Sequence, residues 1–114
     1  MRNDKLYLVD IVDAADHVAA FLEGKGFEDF TGDELLKSAT LQKLIVIGEA
    51  AARVSNEFKE KHTNVEWPDI VAFRNIAVHA YFSVNWRIVW ETAKRDAPKL
   101  KDKISSILLK EFPE

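Results

Sequence analysis

Apolar residues return along this chain every three or four positions, the spacing of a helix face, and seldom alternate as a strand would. No Asn-Gly or Asp-Gly pair separates two alternating runs, so hairpin signals are absent from the sequence. The first helix is predicted from Asp4 to Glu23, with Leu6, Val9, Val12, Val18 and Phe21 as apolar positions beside Asp10, Asp13 and Asp16. Gly24 and Gly26 end it, and residues Phe27 to Phe30 read as a linker. Thr31 and Glu34 have capping-box spacing and open the next stretch.

The second helix is predicted as a long one, Asp33 to Lys61, with Ser38–Thr40 as the place for a break. Leu41, Leu44, Ile45, Gly48, Ala51 and Ala52 form one stripe, while Val46, Ile47, Ala50 and Val54 lie on other faces. A helix apolar nearly all round has to be covered nearly all round. In so short a chain the simplest cover is a second copy, so a dimer built partly on this helix is expected. Gly48 inside a helix costs about 1 kcal/mol relative to Ala, and close approach by another helix is the expected compensation. The run HTNVEWP reads as a loop, and Pro68 suits the first turn of a third helix reaching Tyr81 or Phe82. Ser83 or Asn85 can cap a fourth helix, Trp86 to Asp96, after which Asp96 and Pro98 open a fifth. The expected fold is all-α: one domain over residues 1–114, an up-and-down bundle of four to five helices.

Composition narrows the function. The chain has 114 residues and no cysteine, which excludes disulfides, zinc–thiolate sites and thiol catalysis. No stretch has the length of apolar residues that a signal peptide or a membrane span needs, so a cytoplasmic protein is expected. The net charge of −3 is unevenly spread. Residues 1–34 hold nine acids against three bases, and residues 86–110 hold seven bases against three acids. Such runs are ordinarily solvated faces. A local basic surface can still steer an anion.

The third helix carries the chemistry. In PDIVAFRNIAVHAYF almost every position is apolar, yet Arg74, Asn75 and His79 stand in its middle. Buried polar groups need partners. At about 100° per residue, Asn75 and His79 share a face, Arg74 and Tyr81 nearly share another, and Arg74 and His79 diverge by about 140°. Arg74 and His79 meet only if the helix ends or bends near His79, or across a cleft shared with a second chain. A histidine titrating near neutral pH can move a proton, and an arginine can hold a phosphate. RNA supplies its own nucleophile, the 2′-hydroxyl, so this pair would suffice for phosphodiester cleavage without a metal. The residues alone equally allow a structural polar network that includes Glu49. Asp13 and His17 have ligand spacing but lack a second pair. His62 falls in a polar loop. Trp67, Trp86 and Trp90 read as core, with base stacking as the alternative. Lys94, Arg95, Lys99, Lys101 and Lys103 are either an RNA-guiding surface or a solvated one.

The string RNIAVHAYF matches an Arg-x4-His-x-Tyr signature and resembles the HepT-like family of the HEPN superfamily. The likeness extends through LYLVDIVDAADHVAAFLEGKGFEDF, LIVIGEAAARVSNEFKEKHTNVEWPDIVAFRN and VNWRIVWETAKRDAPKLKDKI, in that order. It implies a dimeric HEPN-like ribonuclease, the toxin of a type VII-like toxin–antitoxin pair, with the paired motifs facing a cleft between subunits. It implies Arg74 and His79 as the catalytic pair, Asn75 in support, and an RNA substrate such as tRNA or mRNA. It implies no metal and no cofactor. It also implies a minimal nucleotidyltransferase antitoxin that adds AMP to Tyr81, placing bulk and negative charge at the RNA site. Ala80 stands where the family usually has Gly, and Ser83 and Asn85 where Gly and Asp are common. The competing reading is a non-catalytic helical module that binds a nucleotidyltransferase or a nucleotide.

Overall fold

A computed structural model describes residues 3–113. Within them every regular element is helical: α1 (Asp4–Leu22), α2 (Phe27–Thr31), α3 (Glu34–Arg53), α4 (Asn56–Lys61), α5 (Trp67–His79), a 3₁₀ turn (Tyr81–Ser83), α6 (Trp86–Glu91), a π turn (Thr92–Asp96) and α7 (Ala97–Glu111). The all-α bundle expected from the periodicity forms. α1 and α3 pack as its central pair, α5 lies on α3, and α7 lies on α1. Among the described residues no helix is long and apolar enough to cross a membrane.

α1, α3, α4 and α6 each start where a side chain accepts from the free N–H groups of the first turn. Asn3 caps α1 and Asp33 caps α3, each accepting from the N–H three residues on. Asp33 therefore takes the role assigned to Thr31, which instead belongs to α2. That short helix replaces the expected linker. The Asp29 carboxylate accepts from the Gly26 N–H at 2.8 Å, and Phe30 turns fully into the core. There Phe30 meets the rings of Trp86 and Trp90, at centroid distances of 6.0 and 5.3 Å. Trp67 and Trp90 are buried and Trp86 is half-buried, as expected of core aromatics.

The buried stripe of α1 is Leu8, Ile11, Ala14, Ala15, Val18 and Leu22, one notch round from the expected face, and Leu6 is exposed. Leu8, Ile11 and Val18 are wholly inaccessible, and burial of each stabilises the fold by about 1.5–3 kcal/mol.

Two helix boundaries differ from expectation. The long second helix breaks at Val54, not at Ser38–Thr40, because Ser55 is pinned from outside the helix. Its N–H and hydroxyl both donate to the Asp4 carboxylate, at 2.9 and 2.7 Å, while its oxygen caps α4 by accepting from Phe58 N–H. The expected stop at Asp96–Pro98 is absent. Asn85 caps α6 as expected, accepting from the Arg87 and Ile88 N–H groups. The helix then continues through Pro98 by widening to a π turn, in which the Ala97 N–H reaches back to the Thr92 carbonyl. Proline removes a donor and crowds the preceding turn, and the wider register accommodates both.

The acidic and basic ends of the chain lie side by side, since α1 packs on α7 and Lys101 pairs with Asp16. The Asp16 hydrogen bond and charge hold the Lys101 ammonium above its ordinary pKa.

The expected shortage of cover for α3 is not found. α1 and α5 bury Leu41, Leu44, Ile47, Ala50 and Ala51 within one chain, leaving Ile45 and Val46 half-buried. Besides Leu35 at the start of α3 and Leu109 in α7, exposed apolar residues gather further on: Ile76 and Val78 in α5, Tyr81 and Phe82 in the 3₁₀ turn, and Ile88 in α6.

Candidate functional site

The site is built on the last two turns of α5 and the turn that follows. α5 begins at Trp67 with Pro68 in its first turn, and the Trp67 indole N–H donates to the His62 carbonyl at 3.0 Å. It packs on α3 along one side only, so Trp67 and Ala77 are its only fully buried residues. This corrects the expectation of a helix enclosed all round. Asn75 and His79 are exposed, and among the described residues neither side chain has a hydrogen bond or ion pair.

Arg74 differs. Its side chain is 23% exposed, its Nη1 lies 3.3 Å from Glu49 Oε1, and its Nε is sealed from solvent with no hydrogen-bond partner. It lies against α3 because Gly48 leaves room. A Cβ at position 48 would sit on Arg74 Cβ, 2.7 Å from its Cγ and 3.4 Å from the Ile70 carbonyl. The close approach expected at Gly48 is therefore made by α5, at Arg74 itself. The polar network with Glu49, read from the sequence as an alternative to catalysis, is also present.

Arg74 and His79 are thus not brought together within one chain. Arg74 is tied to α3 while His79 faces solvent, in keeping with the wide angle between them on the helix. The helix does end at His79. Ala80 leaves helical geometry (φ −119°, ψ 36°), and its N–H still bonds the Ile76 carbonyl. Tyr81 then starts the 3₁₀ turn. Its ring meets Phe82 edge-on at 5.4 Å and is about half exposed. Ser83 closes the turn with its N–H and hydroxyl on the Ala80 carbonyl. The result is an open surface of His79, Asn75 and Tyr81 flanked by Ile76, Val78 and Phe82, with Arg74 at its inner edge. A cavity of about 340 Å³ between α3, α5 and α7, lined by Ile70, Phe73 and Leu100, includes neither Arg74 nor His79.

The other candidates mostly have structural partners. Lys94 sits over the Trp90 ring, Arg95 pairs with Glu91, Lys101 pairs with Asp16, and Lys103 donates to the Asn64 carbonyl at 2.9 Å. His17 stacks on Phe21 at 6.5 Å, and among the described residues no group of three or more potential metal ligands gathers. His62 is not the solvated loop histidine expected. It packs on Phe58 at 4.5 Å, and its Nε2 lies 3.2 Å from Glu111 Oε1. With Lys61 it holds the Glu111 carboxyl below the usual glutamate range.

Comparison with known proteins bears on the whole arrangement. The family model "Ribonuclease HepT-like" matches residues 11–107. A protein of Caldanaerobacter subterraneus subsp. tengcongensis, named as a proposed RNase (TTE0752), is 38% identical over 97% of this chain and 99% of its own. "Probable ribonuclease HepT" of Thermococcus cleftensis is 37% identical over 93% of this chain and 96% of its own. A protein of Methanocaldococcus jannaschii named as a proposed RNase (MJ1380) is 33% identical over 93% and 97%. No solved structure matches the chain significantly. With the family model spanning most of its length and full-length relatives above 30% identity, the chain belongs to the ribonuclease HepT-like family.

Proposed function

We propose that this protein is a metal-independent endoribonuclease of the HEPN type, acting as a homodimer and serving as the toxin of a toxin–antitoxin pair. The observation that carries the reading is the placement of the Arg-x4-His-x-Tyr residues. In a family whose members are named for ribonuclease activity, they lie at the end of α5, where the bundle leaves that helix uncovered. His79, exposed to solvent, takes or gives the proton as the RNA 2′-hydroxyl attacks the adjacent phosphorus. Arg74 holds the phosphate and stabilises the charge that develops on it. The leaving 5′-oxygen departs protonated, and the product carries a 2′,3′-cyclic phosphate. Asn75, beside Arg74 and on the face of His79, supports the bound RNA.

A single chain keeps Arg74 and His79 apart, so the reaction centre is completed by a second copy. The same surface supplies the means. Ile76 is 63% exposed, Phe82 is fully exposed, and Val78 and Tyr81 add to them. A cluster of large apolar side chains in solvent is characteristic of an interaction surface. Two-fold pairing through this surface would place two α5 ends face to face, each offering its Arg74 and His79 to a common cleft.

Tyr81, at the rim, is the residue on which a nucleotidyltransferase antitoxin adds AMP. The added phosphate would repel RNA and its bulk would close the cleft. Purified protein incubated with that partner and ATP should gain mass in AMP units and lose RNase activity, and the Tyr81→Phe variant should do neither.

The exposed apolar surface also suits the second reading, a non-catalytic module that only binds its partner. Incubation of purified protein with labelled RNA in EDTA separates the two. Cleavage with 2′,3′-cyclic phosphate ends supports the enzyme. Activity that disappears on chelation overturns the metal-free mechanism, and an intact substrate beside a tight partner complex favours the module.

A further inference from the structure

We propose that Gly48 and Glu49 form a seat that positions Arg74, with Glu49 acting as a positioning residue for phosphate binding; this rests on the reading of Arg74 as the phosphate-holding group. Three observations converge on it. Gly48 removes the one Cβ that would collide with the Arg74 stem, so the stem lies flat on α3. Glu49, the next residue, reaches round to Nη1 at 3.3 Å. Arg74 Nε is shut inside without a partner, a cost that the fold has to offset.

The alternative is a plain surface ion pair, and the magnitudes argue against it. The Glu49 side chain is 42% exposed, and pairs of that kind contribute little to stability. Such a pair gives the fold little reason to place a glycine in mid-helix and strand an Nε beneath it. Orientation does explain the cost. Arginine is long, and a guanidinium free to sample many rotamers meets a phosphate in the right plane only part of the time. Held at Nη1, and with Nε turned inward, the group keeps its Nη2 edge for an incoming oxygen. Glu49 also remains outside the proton-transfer chemistry, because it faces Arg74 and no contact links it to His79.

The experiment compares wild type, Glu49→Ala, Glu49→Gln and Arg74→Ala in steady-state RNA cleavage, with helicity and melting temperature recorded for each. Glu49 is half-exposed and Ala is a good helix former, so Glu49→Ala should fold. Its kcat should fall by roughly ten- to a hundredfold, the penalty for a misplaced group, with KM within about twofold of wild type. Glu49→Gln keeps an oxygen for Nη1 and should recover most of the loss. Wild-type kinetics in Glu49→Ala would overturn the proposal. A lower KM in that variant would overturn it too, by showing that Glu49 competes with phosphate. Equal losses in Ala and Gln would transfer the effect from position to charge and likewise overturn it.

A second readout needs no activity. The Arg74 Nε–H resonance should exchange slowly with solvent in wild type and in Glu49→Gln, and quickly in Glu49→Ala. If wild type does not cut RNA, the ribonuclease reading fails alone, and this resonance still decides whether Glu49 seats Arg74. Fast exchange in wild type, or the same slow exchange in all three proteins, would overturn the seat.

Discussion

Replacing Gly48 by alanine sets two well-understood effects against each other, and the structure decides between them. Helix propensity alone favours the change by about 1 kcal/mol, since Gly48 lies in the middle of α3. Packing opposes it. The new Cβ would sit 2.7 Å from Arg74 Cγ and closer still to Arg74 Cβ, whereas carbon atoms in contact rest at about 3.5–4.0 Å. Both Cβ atoms are fixed to backbone, so no rotamer change relieves the clash. α3 and α5 would have to part by roughly an ångström, loosening the packing around Leu44, Ile47, Ala51 and Ala77. Overpacking of this kind costs about 1–3 kcal/mol, and a backbone-anchored clash belongs at the upper end. The expected balance is a loss of about 1–2 kcal/mol, or roughly 4–10 °C in melting temperature for a chain of this size. Thermal unfolding followed by circular dichroism at 222 nm measures it. An unchanged or higher melting temperature would refute the close approach of α5 to α3, because that is the outcome of helix propensity acting alone.

Two further expectations concern stability. Thr40 is fully buried and its hydroxyl has no partner, so Thr40→Val, nearly identical in shape, should stabilise the fold by about 1 kcal/mol; a lower melting temperature would show that the hydroxyl is satisfied. Glu111 is held below its ordinary pKa by His62 and Lys61, so its contribution is fully present above about 4.5 and is lost as the pH falls through its lower folded value. Acid titration of thermal stability should therefore show a step below pH 4.5 that Glu111→Gln reduces, and identical pH profiles for the two proteins would contradict the pairing.

Much of the fold was legible because it depends on local pattern. The cap at Asn85, the place of Pro68 in the first turn of α5, the end of α1 before Gly24, and the overall helical period all follow from residues near one another in sequence. The misread boundaries depend on distant or cooperative partners. Ser55 breaks the long helix because Asp4, fifty-one residues away, binds it. Pro98 fails to stop a helix because the preceding turn changes register. At the site, the angle between Arg74 and His79 and the crowding at Gly48 were both readable from spacing and residue type. Which helix approaches Gly48 was not readable, nor was the exposure of Asn75 and His79, since both depend on α5 being covered on one side only. Glu49 was legible only as one member of a polar network. Its contact with Arg74 Nη1 and the sealed Nε needed coordinates.

In the proposed mechanism Arg74 and His79 cleave RNA together across a dimer cleft. RNA cleavage by Arg74→Ala and His79→Ala, each alone and then mixed after subunit exchange, tests it most directly. Each variant alone should lose at least about a hundredfold in rate while keeping its helicity. In the mixture, half the dimers pair one variant with the other, and the cleft of each such dimer retains one of its two Arg–His pairs, an intact Arg74 from one chain and an intact His79 from its partner. Activity should therefore return to roughly a quarter of wild type. Cleavage at the wild-type rate by both single variants would contradict the site, and a mixture as inactive as its parts would contradict the shared cleft.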